Sequence, residues 1–426
     1  MEQFVVSGGK PLKGEVNISG AKNAAVALIP AALLANDICV IENLPNIKDI
    51  GNLINGLVDM GVDIKHTSDN TIKIDSTKLN THIAPKTSMN KIRASYYMLG
   101  ALLARVNKAE VPLPGGCNFG VRPFDQHIKG FEALGATVKV EDGFIKAYAD
   151  ELVGTSIYLD VVSVGATINI MIASVFAKGT TIIENAAKEP HIVDTANFLN
   201  KMGCKIKGAG TDVIRVIGIS KDSIKGVDYT TIPDQIEAGT YMALAAATKG
   251  DILVKNVIPK HLESISAKLN EMGCTVEEGT DYVRVISPEV LKPTDVKTLV
   301  YPGFPTDMQP QILAVLTLAD GDSLVNETVW ESRFQYVEEL VKMGAKVRTT
   351  GKVANITGVD SLWGAEVKAH DLRAGAAVLI AGLSHKTVGK TYIKNPKLID
   401  RGYENIIEKL RSLGADIERV DILERD

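Results

Sequence analysis

The run Pro112-Leu113-Pro114-Gly115-Gly116-Cys117-Asn118-Phe119-Gly120-Val121-Arg122-Pro123 places one thiol and, five residues later, one guanidinium in a stretch rich in proline and glycine. Such a stretch forms neither a helix nor a central strand. It is a shaped loop, and glycines on both sides of the thiol let backbone approach a ligand closely. A cation near a thiol lowers its pKa and makes it a better nucleophile or proton donor. The plain alternative is a surface loop with an incidental cysteine.

Three further patterns could do chemistry. Ser19-Gly20-Ala21-Lys22-Asn23-Ala24-Ala25 precedes an apolar helix. Free N–H groups at such a start favour anions, and Lys22 adds a point charge suited to phosphate; otherwise this is a capped helix with a solvated lysine. Tyr301-Pro302-Gly303-Phe304-Pro305-Thr306-Asp307 is a second rigid loop. Its Asp307 either caps the helix that follows or serves as a general base. The chain has 12 Arg against 35 Lys. Five of the arginines, Arg93, Arg122, Arg333, Arg373 and Arg401, stand at expected loops or helix starts, Arg122, Arg373 and Arg401 close to Gly, Pro or Asp. Singly each reads as a structural ion pair. Together they suit a multiply anionic substrate, because the guanidinium fork grips carboxylate and phosphate at two points.

These residues need a scaffold, and the chain supplies it by repetition. A helix-end signature, Leu or Phe followed by Met or Leu, Gly and a small residue, places glycines at 61, 135, 203, 273, 344 and 414. The period is about 70 residues, repeated six times. Glycine there takes the left-handed backbone of a helix C-terminus. A second signature is a short β-branched run closing on Asn43, Asn185, Asn256 or Asn395. Each repeat reads as strand, helix, strand, helix and a further strand or two. Segments such as Ala24–Leu34, Ala94–Ala104, Ala166–Phe176, Gly239–Ala247 and Gly375–Ala381 are small and apolar nearly all round. Helices of that kind are buried, so the sheets are expected outside and the helices inside. Six copies divide into two α/β domains of three. The expected bounds are 21–230 for the first and 1–20 with 231–426 for the second. The join is expected near Ser220 to Tyr229 and Ile232-Pro233-Asp234, with ligands in the cleft between domains.

Bulk properties narrow the partners. The 426 residues carry a net charge of −4, with 45% hydrophobic residues and no basic stripe, which argues against nucleic acid. Neither a signal peptide nor a membrane-spanning run is visible. Cys39, Cys117, Cys204 and Cys274 are scattered, without metal-binding spacing, and read as reduced cytoplasmic thiols.

With these motifs in hand, the chain resembles the enolpyruvyl transferases that act on UDP-N-acetylglucosamine. The resemblance runs from Gly14-Glu15-Val16 to Arg401-Gly402-Tyr403-Glu404. It rests on Ser19 to Ala25, Pro114 to Pro123, Ser163-Val164-Gly165-Ala166-Thr167, Phe304 to Gln309 and Asp371-Leu372-Arg373. It implies two inside-out α/β domains of three βαβαββ units each. It implies transfer of the enolpyruvyl group of phosphoenolpyruvate to the 3′-hydroxyl of UDP-N-acetylglucosamine with release of phosphate, the first committed step of peptidoglycan synthesis. No metal and no organic cofactor are implied, and no protein partner. On this resemblance Cys117 protonates the enolpyruvyl methylene, can bond to it, and is the target of fosfomycin. Lys22, Arg122 and Arg401 hold the phosphate and carboxylate of phosphoenolpyruvate, and Asp307 faces the sugar hydroxyl. Asn23, Arg93, Arg122, Pro123, Phe124, Asp125, Gln126, Ser163, Val164, Gly165 and Val329 line the nucleotide-sugar side, and Arg333 and Arg373 join the anion-binding set. There are departures. Val161-Val162 stands where some members carry lysine, Tyr97 stands where tryptophan is frequent, and the segment from Val388 to Lys397 is two residues longer. Two rivals are the shikimate-pathway enolpyruvyl transferase, whose loop offers no thiol at the Cys117 position, and a non-catalytic binder of UDP-sugar.

Overall fold

Each of the six glycine signatures ends a helix. The glycines all have positive φ, between 91° and 110°, a region that costs residues with a Cβ about 1–2 kcal/mol. At the first, the Gly61 N–H donates to Val58 O and the Val62 N–H to Leu57 O. The same pair of bonds recurs at each helix, down to Gly414 with Arg411 and Ala415 with Leu410. These are Schellman ends, so the sequence period is a period of helix termini.

The computed structural model describes residues 2–113 and 124–421 and divides into two units. One takes the chain up to Ser19 and again from Pro233; the other takes Gly20 to Ile232. The second contains α1 (Lys22–Ala31), α2 (Lys48–Asp59), α3 (Tyr97–Val106), α4 (Asp125–Ala133), α5 (Val164–Ala173) and α6 (Pro190–Lys201), besides the single turn Lys86–Met89. The first contains α7 (Gln235–Ala247), α8 (Glu263–Glu271), α9 (Gln309–Leu316), α10 (Val337–Lys342), α11 (Leu372–Leu383) and α12 (Ile406–Ser412). Odd-numbered helices are buried nearly all round: α9 hides all eight residues and α7 twelve of its thirteen. Even-numbered helices keep a polar face and carry the glycine ends.

The sheets share one plan. Ile38–Glu42 has a parallel neighbour, Asp228–Thr230, and an antiparallel one, Thr71–Asp75, which pairs in turn with Asp63–Ser68. The same order holds around Thr180–Glu184, Asp251–Lys255, Asp322–Asn326 and Lys390–Lys394. Lys108–Pro112 keeps the antiparallel half of the plan. Around Lys390–Lys394 the middle strand of the plan is Glu2–Ser7, from the start of the chain. The polar stretch from Ser220 to Tyr229 precedes the join. It ends in a strand of the Gly20–Ile232 unit, and the chain changes unit at Ile232–Pro233 and at Ser19–Gly20.

Inner helices pack closely because their contact residues are small. A Cβ added at Gly100 in α3 would lie 2.5 Å from the backbone oxygen of Asn169 in α5. Asn169 is fully buried, and its polar atoms are satisfied. Its Oδ1 accepts from the Gly100 N–H at 2.9 Å, and its Nδ2 reaches Tyr96 O at 2.8 Å and His127 Nδ1 at 3.0 Å.

The helix ends allow a graded test in one unit. A Cβ at Gly135 meets only Glu151 O at 3.4 Å, so Gly135→Ala is expected to cost the backbone term alone, about 1 kcal/mol. A Cβ at Gly61 would stand 2.7 Å from Lys78 O, so Gly61→Ala should lower the melting temperature further. Equal losses would show that the left-handed backbone dominates at both.

Candidate active site

In the Gly20–Ile232 unit the described candidate residues stand at helix starts. Lys22 is the first residue of α1, and its Nζ lies 2.8 Å from Asp49 Oδ2, with both side chains largely buried. Asn23 follows on the same turn. Ser19 is not the cap: it belongs to the other unit, where its N–H donates to Glu237 Oε2 and its Oγ accepts from Lys409. Ser163 does cap α5, its Oγ accepting from the Ala166 N–H at 3.3 Å. The amides of Val164 and Gly165 stand in the first turn, where a helix supplies no acceptor. Gly165 leaves room for its neighbours, since a Cβ there would lie 3.0 Å from both His127 Nε2 and Tyr96 Oη. His127 is buried, and burial brings its pKa down to about 4 against the opposing pull of Asp125. The ring is thus neutral at pH 7, with Nδ1 accepting from Asn169.

Phe124, Asp125 and Gln126 open α4. Phe124 packs edge-on to Tyr96, and Asp125 is exposed. Gln126 reads both sides of Asp160, accepting from its N–H at 2.9 Å and donating to its carboxylate at 3.1 Å, while Lys129 holds the other carboxylate oxygen at 2.8 Å. Val161, beside it, is exposed, whereas Tyr97 is buried and heads α3. Arg93 begins the helical turn Arg93–Tyr96 that leads into α3. Cys117, Arg122 and Pro123 lie outside the described residues.

In the other unit, Asp307 stands in the turn Thr306–Met308 that enters α9, and no side chain caps that entry. The capping role is set aside. Its carboxylate faces two guanidiniums instead: Arg373 Nη2 is 3.3 Å from Oδ2, and Arg333 Nη2 is 3.5 Å from Oδ1. Both arginines are buried. Burial works against the charge of Arg373, but Tyr403, Asp307 and Asp234 outweigh it and hold its pKa above the usual value. The Asp–Arg sequence pairs do not pair with each other. Asp371 caps α11 through the Arg373 and Ala374 amides, and Asp400 binds Arg419 at 2.6 Å. Arg401 closes the turn Pro396–Arg401 and is half-buried. Val329 is exposed near the start of the loop that carries Arg333. Each unit thus presents cations at inner-helix starts, an arrangement suited to an anionic substrate. Among the described residues no cluster of His, Cys, Asp and Glu could hold a metal ion, and no helix is long and apolar enough to cross a membrane.

Residues 6–410 match the model of the EPSP synthase (3-phosphoshikimate 1-carboxyvinyltransferase) family. A UDP-N-acetylglucosamine 1-carboxyvinyltransferase of Clostridium acetobutylicum is 58% identical over 423 residues, covering 99% of this chain and all of the relative. The chain belongs to the UDP-N-acetylglucosamine 1-carboxyvinyltransferase family. Another relative, from Geobacillus kaustophilus, is 54% identical over 98% of this chain and 97% of its own. The enolpyruvyl transferase NikO of Streptomyces tendae has a similar structure, with a TM-score of 0.89 at 26% identity over 98% of each chain. EPSP synthase of Acinetobacter baumannii, at TM-score 0.73 and 20% identity over 99% of this chain and all of its own, shares the fold.

For a chain of this carboxyvinyltransferase family, three site neighbours had gone unread: Asp49, His127 and Glu327. Asp49 and His127 carry no sequence signal of their own. Glu327 does, because it follows its strand where four other repeats have asparagine.

Thiol chemistry tests the opening loop. Burial raises the pKa of Cys39 to about 11, and of Cys204 and Cys274 to about 12. At pH 7.5 a maleimide should therefore modify one thiol per folded chain, on Cys117, as peptide mapping would read. Label on the three buried cysteines at comparable rate would remove Cys117 as the reactive thiol.

Proposed function

We propose that the protein transfers the enolpyruvyl group of phosphoenolpyruvate to the 3′-hydroxyl of UDP-N-acetylglucosamine and releases phosphate, acting in the cytoplasm at the entry to peptidoglycan synthesis. Full-length similarity to carboxyvinyltransferases of that name supports the reaction. The observation that carries the chemistry is Asp307, a carboxylate at a helix entry flanked by two buried guanidiniums.

The reading assigns roles that balance. A proton from Cys117 adds to the methylene carbon of phosphoenolpyruvate, leaving its C2 electron-poor. The sugar oxygen bonds to C2 while its proton passes to Asp307. The tetrahedral adduct then returns a methyl proton to the Cys117 thiolate, phosphate leaves with the proton held by Asp307, and the enol ether forms. Lys22, Arg122 and Arg401 neutralise the phosphate and carboxylate, with Arg333 and Arg373 adding charge around Asp307. Asn23, Arg93, Pro123 to Gln126, Ser163 to Gly165 and Val329 take the nucleotide sugar, whose diphosphate suits the free amides at the start of α5.

A sugar hydroxyl is far less acidic than a carboxylic acid, so Asp307 accepts the proton only as the C–O bond forms, a contribution of about 10²–10⁴-fold in rate. Asp307→Asn keeps the size and one acceptor but is no base. Phosphate release is expected to fall by at least about 10²-fold, with UDP-N-acetylglucosamine binding by calorimetry little changed. A variant keeping more than about a tenth of the turnover would exclude Asp307 as the acceptor. Cys117→Asp should resist fosfomycin yet retain activity, since a carboxylic acid can still supply the proton; full sensitivity would move the drug's target elsewhere.

A further inference from the structure

The six repeats make one residue conspicuous. The residue after the central strand is Asn43, Asn185, Asn256 and Asn395 in four of them, each with positive φ between 53° and 61°. In three, its amide ties down the carbonyl that follows the parallel neighbour strand: Asn43 to Thr231, Asn185 to Leu159, Asn256 to Ile18. In the fifth repeat the strand is Asp322–Asn326, and the next residue is Glu327. Thr328 Oγ1 now donates to the corresponding carbonyl, Thr298 O. Glu327 is thus released from the repeat's own task.

Its carboxylate is fully buried, a costly place for a charge unless donors surround it. Four do. Oε1 accepts from Thr298 Oγ1 at 2.9 Å, from the Val329 N–H at 2.8 Å and from the Trp330 N–H at 3.1 Å; Oε2 accepts from Thr306 Oγ1 at 2.9 Å. Thr306 immediately precedes Asp307 in a turn that has no side-chain cap. The loop before it, from Leu299 to Pro305, is held to itself by Leu299 N–H to Phe304 O and Gly303 N–H to Val300 O. Opposite, Arg333 Nη2 lies 3.4 Å from Thr306 O.

We infer that Glu327 is a positioning residue: through Thr306 it fixes where the Asp307 carboxylate stands, and through the Val329 and Trp330 amides it sets the adjoining loop in the same register. The inference rests on the reading of Asp307 as proton acceptor. Proton transfer in step with C–O bond formation is sensitive to placement, and a shift of about 1 Å can cost roughly 10²-fold.

Thr306→Val removes the hydroxyl at nearly constant volume, and Thr306→Ser keeps it. Phosphate release at saturating substrates should give a kcat for Thr306→Val lower by about tenfold or more, with KM for both substrates within about threefold, and Thr306→Ser near wild type. A merely structural role would not depend on Asp307, so the decisive reading is the cycle with Asp307→Asn. Residues acting through one another are not additive, and Thr306→Val should cost less than about twofold in that background. If Thr306→Val folds poorly, Glu327→Gln takes its place, since its oxygen still serves the Val329 and Trp330 amides while the acceptor at Thr306 is lost. A kcat above about half of wild type, or an equal loss in both backgrounds, overturns the inference. Failure of the Asp307 reading shows separately, as high turnover of Asp307→Asn alone.

Discussion

A helix enclosed on every side has no stripe that can face water, and this constraint governs the molecule. The inner helices can carry almost nothing polar along their length, because each buried group would need a partner. Asn169, with every polar atom matched, shows what an exception requires. Polar chemistry is left with the helix starts, where N–H groups lack acceptors and the dipole is positive. Lys22, Ser163 and Arg373 stand at such starts, and Asp307 one turn ahead of another. The start of α7 is used differently. Glu237, its pKa raised to about 7 by burial against the pull of Lys409, holds Ser19 where the chain changes unit.

Repetition supplies the frame, and departures from it carry the specialised parts. Where the asparagine after the central strand is kept, the connection is plain architecture. It is missing at Leu113, which leads into the Cys117 loop, and at Glu327, which braces Thr306 beside Asp307. Leu113 stands just before the run Pro114 to Pro123, and Glu327 bonds the residue that follows the run Tyr301 to Pro305. A duplicated unit gains new chemistry at little structural cost when the change lies in a connection rather than in a packed helix.

Much of this was legible. The glycine period announces six helix ends, because only a left-handed terminus demands glycine so regularly, and all-apolar helices with polar strands give the inside-out order. The candidate residues were visible as types held in stiff loops. Side-chain partnerships were not. Asp371 and Arg373 are neighbours in sequence, yet the carboxylate caps the helix and the guanidinium turns to Asp307, 66 residues away. Ser19 looked like a cap and instead lies two residues past the strand Lys13–Asn17, tied to Glu237. Nothing local in the stretch from Ser220 to Tyr229 marked Asp228–Thr230 as a strand paired with Ile38–Glu42. Such pairings depend on which elements meet in space, and no local pattern encodes that.

The strand Glu2–Ser7 has a consequence for synthesis. It lies between Lys390–Lys394 and Asp416–Asp421, antiparallel to both, and Phe4 and Val6 are wholly buried there. A ribosome makes this strand 383 residues before its earliest partner (390 − 7), a wait of roughly 20–80 s at typical elongation rates. The segment Gly20–Ile232 is contiguous and can fold on emergence. The strand ahead of it must meanwhile keep two bare edges from pairing with another nascent chain. The order of assembly is thereby set: the inserted unit first, and the flanking unit only when Lys390–Lys394 and Asp416–Asp421 have left the tunnel.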